Sequence, residues 1–254
     1  DGDGDLDWFV AGAQCSTAEC GTNREFDYAN ANRLYRNDGD RSFSDQTEAA
    51  GMRVGYLGWG SAFFDSENDG DLDLVQTNGW AAAARLPNEP SFYAEAPTRF
   101  WRNDGEFPWS NDAEEVGLDF TQNGHGLAVF DYENDGDLDL VVAVSEGEPM
   151  LLRNIQGGDW LRVRTSAEDR AFEALGARVT VSPTGGSDSQ VRQIGASTHY
   201  LGQSERVAHF GLGEAAGPVD VTIRWPRTGV VTTLESVEPN QVLTLVAPAE
   251  ETAP

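Results

Sequence analysis

Five acidic residues fall within nine positions twice along this chain, at 65–73 (DSENDGDLD) and at 131–139 (DYENDGDLD). Numbered from Asp65, positions 1, 3, 5 and 9 are Asp65, Glu67, Asp69 and Asp73, position 6 is Gly70 and position 7 is Asp71. Alternate side chains of a tightly curled loop converge on one point, a glycine at position 6 permits the sharp turn, and the carbonyl at position 7 can face inward. Hard oxygen donors in this number suit Ca2+ better than Mg2+, which takes fewer protein ligands and more water. Asp131, Glu133, Asp135, Gly136, Asp137 and Asp139 repeat the set, and Asp1, Asp3, Gly4, Asp5 and Asp7 form a partial third copy. Two complete calcium loops are expected, with a third that begins in mid-loop. Without a cation, so many carboxylates in one loop would repel one another strongly. An EF-hand does not fit, because position 12 is Gln76 or Val142 instead of a bidentate Glu and the flanks read as strands.

No other chemistry is offered with comparable specificity. All 17 basic residues are Arg, which removes Schiff-base and lysine-base catalysis. His125 falls at the position of Trp59 in a repeat and reads as structural, as does His209 within an HFGLG strand motif. Nothing near His199 marks it as a base. There is no G-x-S-x-G elbow, P-loop or dinucleotide fingerprint, and no catalytic residue is assigned. The net charge of -26, from 43 Asp and Glu against those Arg, makes nucleic acid and anionic membrane surfaces poor partners. No run of 18 apolar residues exists, so membrane insertion is not expected. Cys15 and Cys20 lie close together in a loop-like stretch and suit a local disulfide in an oxidising compartment, the other reading being two free thiols.

The acidic loops belong to an internal repeat. DGDLD occurs at 3–7, 69–73 and 135–139, a constant offset of 66. Gly58-Trp59-Gly60 and Gly124-His125-Gly126 precede the second and third copies at the same spacing, and LYRNDG at 34–39 returns as FWRNDG at 100–105. LLRNIQGG from Leu151 is a shorter echo, so the third unit is abbreviated. Short apolar runs rich in β-branched and aromatic residues flank each loop and predict strands, about four per unit, as in one blade of a β-propeller. Trp101, aligned with Tyr35, reads as blade packing. Trp80, Tyr93 and Trp109 fall in turn-rich stretches, where packing and stacking on sugar rings are both open readings. The first copy starts inside its loop, so the sequence reads as a fragment of a longer protein. Three blades do not close a propeller, which leaves open edges for missing blades or for self-assembly.

These loops between strands, with their upstream G-x-G, resemble the FG-GAP/VCBS repeats of integrin-like propellers, except that position 3 is Glu67 or Glu133 where that family usually has Asp or Asn. From residue 159 to 248 the acidic repeat gives way to short alternating strands, a small β-sandwich in which Arg is concentrated and can pair locally or face the acidic propeller surface. Trp160-Leu161-Arg162-Val163, Gly176-Ala177-Arg178-Val179, the Gln193–Gly195 turn, His209 to Gly213 and Trp225-Pro226 resemble the ASPIC/UnbV domain, which commonly follows FG-GAP repeats in cartilage-acidic-protein-like secreted proteins. The resemblances imply an all-β chain: a partial β-propeller over 1–158, a β-sandwich over 159–248 and an acidic tail at 249–254. They also imply an extracellular or cell-surface, calcium-binding, non-enzymatic protein for adhesion, surface assembly or protein-partner binding. A lectin-like glycan-binding module is the alternative, and a polysaccharide hydrolase or lyase is less favoured.

Overall fold

The computed structural model describes residues 2–13, 31–80, 93–166, 174–196, 198–214, 216–226 and 228–248. Asp1, Cys15, Cys20 and the tail from residue 249 lie outside them, and with them the expected disulfide. Among the described residues the regular elements are strands, and none forms a helix long and apolar enough to cross a membrane.

Three antiparallel sheets follow one another in the first part of the chain. The first runs β1 (Trp8–Val10), β2 (Arg33–Asn37), β3 (Phe43–Asp45), and the second β4 (Gly58–Phe64), β5 (Asp73–Asn78), β6 (Arg99–Arg102), β7 (Ser110–Asn111). The third contains β8 (Gly124–Phe130), β9 (Asp139–Val144) and β10 (Met150–Leu152). The 66-residue offset is kept in register. Phe64 faces Asp73 as Phe130 faces Asp139, and Tyr35 faces Asp45 as Trp101 faces Asn111. Each sheet is a blade of an open propeller; the acidic loops at 65–73 and 131–139 join the first two strands of their blades, and the first acidic loop leads into β1.

Both G-x-G elements sit at shifts of strand register, Gly58/Ser61 and Gly124/Gly126. Gly60 is required by close approach. A Cβ there would lie 2.7 Å from Leu127 Cβ and 2.8 Å from the His125 carbonyl of the next blade. The second and third blades share a core of Ala62, Phe64, Val75, Phe100, Leu127 and Val142. The first and second share Leu34, Met52, Leu74 and Trp101, with Phe9 edge-on to Phe63 at 6.4 Å. Each large side chain so buried contributes about 2–3 kcal/mol. Strand β5 is buried along its whole length, including Gln76, Thr77 and Asn78. Gln76 answers that burial by accepting from Asn32 Nδ2 (2.7 Å) and donating to Gly55 O and Asn78 Oδ1 (both 2.8 Å).

The remaining strands are β11 (Asp159–Ser166), β12 (Arg178–Pro183), β13 (Gln190–Gln193), β14 (Thr198–His199), β15 (Gly202–Gln203), β16 (Val207–Gly213), β17 (Val219–Arg224), β18 (Val231–Val237) and β19 (Gln241–Val246). They form a sandwich of one sheet in the order β16-β11-β19 and another in the order β13-β12-β17-β18, with a small β14-β15 hairpin beside it. Alternate residues of both sheets meet in a core of Leu161, Val163, Val179, Val181, Phe210, Val221, Ile223 and Trp225. Strands β11 and β19 pair in parallel, and all other pairs in the sandwich are antiparallel.

Candidate metal centre

The second and third loops are built to one pattern. Asp65 Oδ1 accepts from the amide of Asp69 at 3.1 Å and its Oδ2 from the amide of Gly70 at 2.9 Å. Asp131 does the same with Asp135 (3.2 Å) and Gly136 (3.0 Å). The position-5 carboxylates accept from the position-7 amide in all three loops: Asp5 to Asp3 at 2.8 Å, Asp71 to Asp69 at 2.9 Å and Asp137 to Asp135 at 3.1 Å. This curl is possible because Asn68 and Asn134 (φ 56° and 61°) and Gly70 and Gly136 (φ 102° and 97°) occupy left-handed backbone.

The ninth position is held from the next strand turn. Asn37, Asn103 and Asn154, the asparagines of the R-N elements, donate their amides to Asp7, Asp73 and Asp139 at 2.8, 2.8 and 2.9 Å. Their side-chain oxygens then accept from Gly39, Gly105 and Gln156, closing the turn. The R-N repeat was visible in sequence as a landmark. Its spacing of 30 residues from the ninth position, shared by Asn37 and Asn103 and shortened to 15 at Asn154, was the available signal for this role.

Position 3 is engaged elsewhere. Glu67 pairs with Arg102, which also donates to Asp112 at 2.7 Å, and Glu133 pairs with Arg153. Asp137, at position 7, accepts from Asn68 Nδ2 at 3.0 Å and from the Gly157 amide at 3.1 Å. Of the candidate ligands in the first loop, Asp3, Asp5 and Asp7 are described. Among the described residues, no three acidic, Cys or His side chains gather tightly enough to hold one ion between them. The carboxylates at positions 1, 5 and 9 are turned to loop amides.

The loops nevertheless keep acidic side chains away from water. Asp65 is 1% exposed and Asp73 3%. Burial, together with the charge of Asp69, pushes Asp65 up to about 6, against the pull of Arg192 and the Gly70 and Gly211 amides. Burial likewise raises Asp73 to about 6, and shifts Asp71, Asp137 and Asp139 upward from the ordinary carboxylate value. Buried carboxylates whose amide partners leave them so easily protonated, on a loop curled by left-handed residues at positions 4 and 6, fit a hard divalent ion. Asp65, Asp69 and Asp73 would hold it in the second loop, and Asp131, Asp135 and Asp139 in the third.

The sandwich lies directly on these loops, a feature the sequence foreshadowed only as a concentration of Arg. Asp65 Oδ2 accepts a further amide, that of Gly211, at 3.0 Å, and the equivalent oxygen of Asp131 accepts Arg162 Nη1 at 2.9 Å. Both side chains of that ion pair are buried, and the other arm of Arg162 pairs with Glu205. Arg192 Nη2 donates to Gly70 O at 2.9 Å, and Arg178 to Gly4 O. His209 Nε2 meets Asn68 Oδ1 at 2.7 Å. Because Asn68 Nδ2 donates to Asp137, its oxygen must accept, so His209 carries its proton on Nε2. Burial and the nearby Arg162 and Arg192 charges hold His209 neutral, its pKa lowered to about 3.

The other two histidines are framework groups as well. His125 stacks on Trp59 with ring centroids 4.2 Å apart, and His199 bridges Ser61 O and Ser204 Oγ, each at 2.6 Å. Trp101 is buried between blades, Tyr93 is buried, and Trp109 packs against the first interblade core.

Three blades with acidic loops, followed by a two-sheet sandwich seated on them, define an FG-GAP repeat protein with an ASPIC/UnbV domain. The comparisons agree: residues 1–75 match the FG-GAP-like repeat and residues 168–252 match ASPIC and UnbV. The chain is similar to Cartilage acidic protein 1 of Mus musculus, 31% identical over 87% of this chain and 42% of that protein. The same protein of Homo sapiens is 31% identical over 87% and 41%, and that of Xenopus tropicalis 30% over 87% and 42%. The chain thus spans less than half the length of the curated relatives it matches.

Proposed function

We propose that this chain is an extracellular calcium-binding β-propeller module that presents a surface for adhesion, surface assembly or protein partners, with the ion in a structural role and no catalytic one. The observation that carries the reading is the duplicated carboxylate–amide network of the loops at 65–73 and 131–139, each an all-oxygen donor set with buried acids at positions 1 and 9. A bound calcium ion would neutralise those acids and cross-link the two strands that each loop joins. Asp65, Asp69 and Asp73, and their counterparts Asp131, Asp135 and Asp139, position the donors. Asn103 and Asn154 fix the ninth position. The extracellular setting rests on likeness to Cartilage acidic protein 1 and to FG-GAP repeats. The glycan-binding alternative draws less support, because Tyr93 is buried and Trp109 is packed against a core.

Titration calorimetry of the full chain, with thermal melts in calcium and in chelator, tests the reading. Calcium should bind at two or more sites and raise the melting temperature. Asp65→Asn and Asp131→Asn should each remove about one site. Absence of calcium binding at millimolar concentration, or an unchanged melting curve after confirmed removal of the ion, would overturn it.

A further inference from the structure

Each acidic loop is touched at its tightest point by the sandwich. A Cβ on Gly4 would lie 2.7 Å from Arg178 Nη2 and 3.1 Å from Val191 Cγ2, one on Gly70 would lie 2.6 Å from Gln190 Nε2, and one on Gly136 would overlap the Trp160 indole. The sixth position of the loop therefore stays glycine for two reasons, left-handed backbone and a partner surface without room for a methyl group. One arginine comes with each contact: Arg178 on Gly4 O, Arg192 on Gly70 O and Arg162 on Asp131. The antiparallel neighbours β11 and β16 each send a donor to the position-1 Oδ2 of a loop, Arg162 to Asp131 and Gly211 N–H to Asp65. Asn68 ties the system together. It is buried, its side chain joins His209 to Asp137 of the next loop, and its carbonyl accepts from Gly213 N at 2.7 Å.

These contacts are made to backbone atoms of the curled loop and to the carboxylate that organises the curl. They exist only while the loop keeps this conformation. We propose that the sandwich is a clasp whose seating on the blades is coupled to the cation occupancy of the loops beneath it, calcium tightening the clasp and the clasp in turn raising the affinity of the loops for calcium. This rests on the calcium-binding reading above. The sign follows from charge and geometry. Five carboxylates in the 65–73 loop face Arg102 and Arg192, so the loop stays net negative with the clasp seated, and an added cation favours the curl that the clasp requires. Reciprocity is thermodynamic: whatever factor calcium contributes to seating, seating contributes to calcium affinity.

Hydrogen exchange of the full chain, with calcium and after chelation, is the test, run beside calorimetry on the same samples. Calcium should slow exchange of the Gly211 and Gly213 amides and of the segment 153–158 between blades and sandwich by about fivefold or more, the lower end of ordinary coupling. The Thr222 and Thr233 amides, on the sandwich sheet away from β11 and β16, should change little. Gly211→Ala, whose Cβ would overlap Asn68 and the Asp65 carboxylate, should unseat the clasp and weaken calcium binding by a similar factor. If that variant does not fold, the wild-type exchange data decide alone. Calcium binding with no protection of Gly211 and Gly213 overturns the clasp and leaves the calcium reading intact. Absence of calcium binding overturns both.

Discussion

Replacing Gly136 by alanine separates the two demands placed on the sixth position of an acidic loop. Gly136 has φ 97°, and a Cβ there would overlap the indole of Trp160 on β11. Gly105, with φ 88°, has nothing within 4 Å of its Cβ position, so Gly105→Ala measures backbone strain alone, about 1–2 kcal/mol. At Gly70 the obstacle is Gln190 Nε2, the tip of a flexible side chain, which would move and lose its bond to Gly211 O, adding about 1 kcal/mol. At Gly136 the obstacle is a ring held at 8% exposure, so overpacking adds about 1–3 kcal/mol to the strain. Urea unfolding followed by tryptophan fluorescence, in saturating calcium, should therefore rank Gly105→Ala mildest, Gly70→Ala next and Gly136→Ala worst, with about 2–5 kcal/mol lost in the last. Equal losses at Gly105 and Gly136 would mean that Trp160 does not seat on the loop, and would refute the packing from which the ranking follows.

Three further outcomes are expected. Asp65 and Asp73 have folded pKa values near 6, above the ordinary 3.8, so the stability they contribute is full below 3.8 and lost as pH rises through 6. A cation replaces the proton, so the gain in melting temperature on adding calcium should be largest above pH 7 and shrink toward pH 5. His125, His199 and His209, all lowered by burial, act in the opposite sense over that range and cancel when the two melts are compared at one pH. A gain that grows on acidification would contradict the assignment. Glu67→Gln should weaken calcium binding less than Asp69→Asn does, because Glu67 is held by Arg102, and calorimetry showing the reverse order would return Glu67 to the ion. Gln76→Ala should cost about 2–4 kcal/mol in chemical unfolding, since it strands Asn32, Asn78 and the Gly55 carbonyl in a buried layer, and a loss under about 0.5 kcal/mol would count against that network.

What was legible in the sequence is what repeats or lies close along the chain. The 66-residue period located the blades because each blade is a local unit, and the register of Phe64 with Asp73 and of Phe130 with Asp139 follows from the loop length itself. The loop carboxylates stood out for the same reason. Contacts across the chain left no such trace. Asn68 meets His209 across 141 positions, and Gly211 reaches Asp65 across 146, with no pattern of spacing to announce either. The sequence places His209 in a strand motif, but its partner Asn68 was invisible there. The ligand candidates at position 3 were read from alternation alone. Glu67 and Glu133 are each long enough to reach an arginine at the end of the third strand of their blade, and there they are found.

The parallel pairing of β11 with β19 sets how the sandwich would carry load. Leu161 to Ser166 lie beside Gln241 to Val246 in one continuous ladder. A pull arriving through the blades at Asp159 and leaving past Val246 runs along both strands in opposite directions. It loads every bond of that ladder together, in shear, instead of opening them one after another as a pull across an antiparallel hairpin would. Under such a pull the first and last strands of the sandwich would bear the load together, one strand away from the β16 edge that rests on the acidic loops.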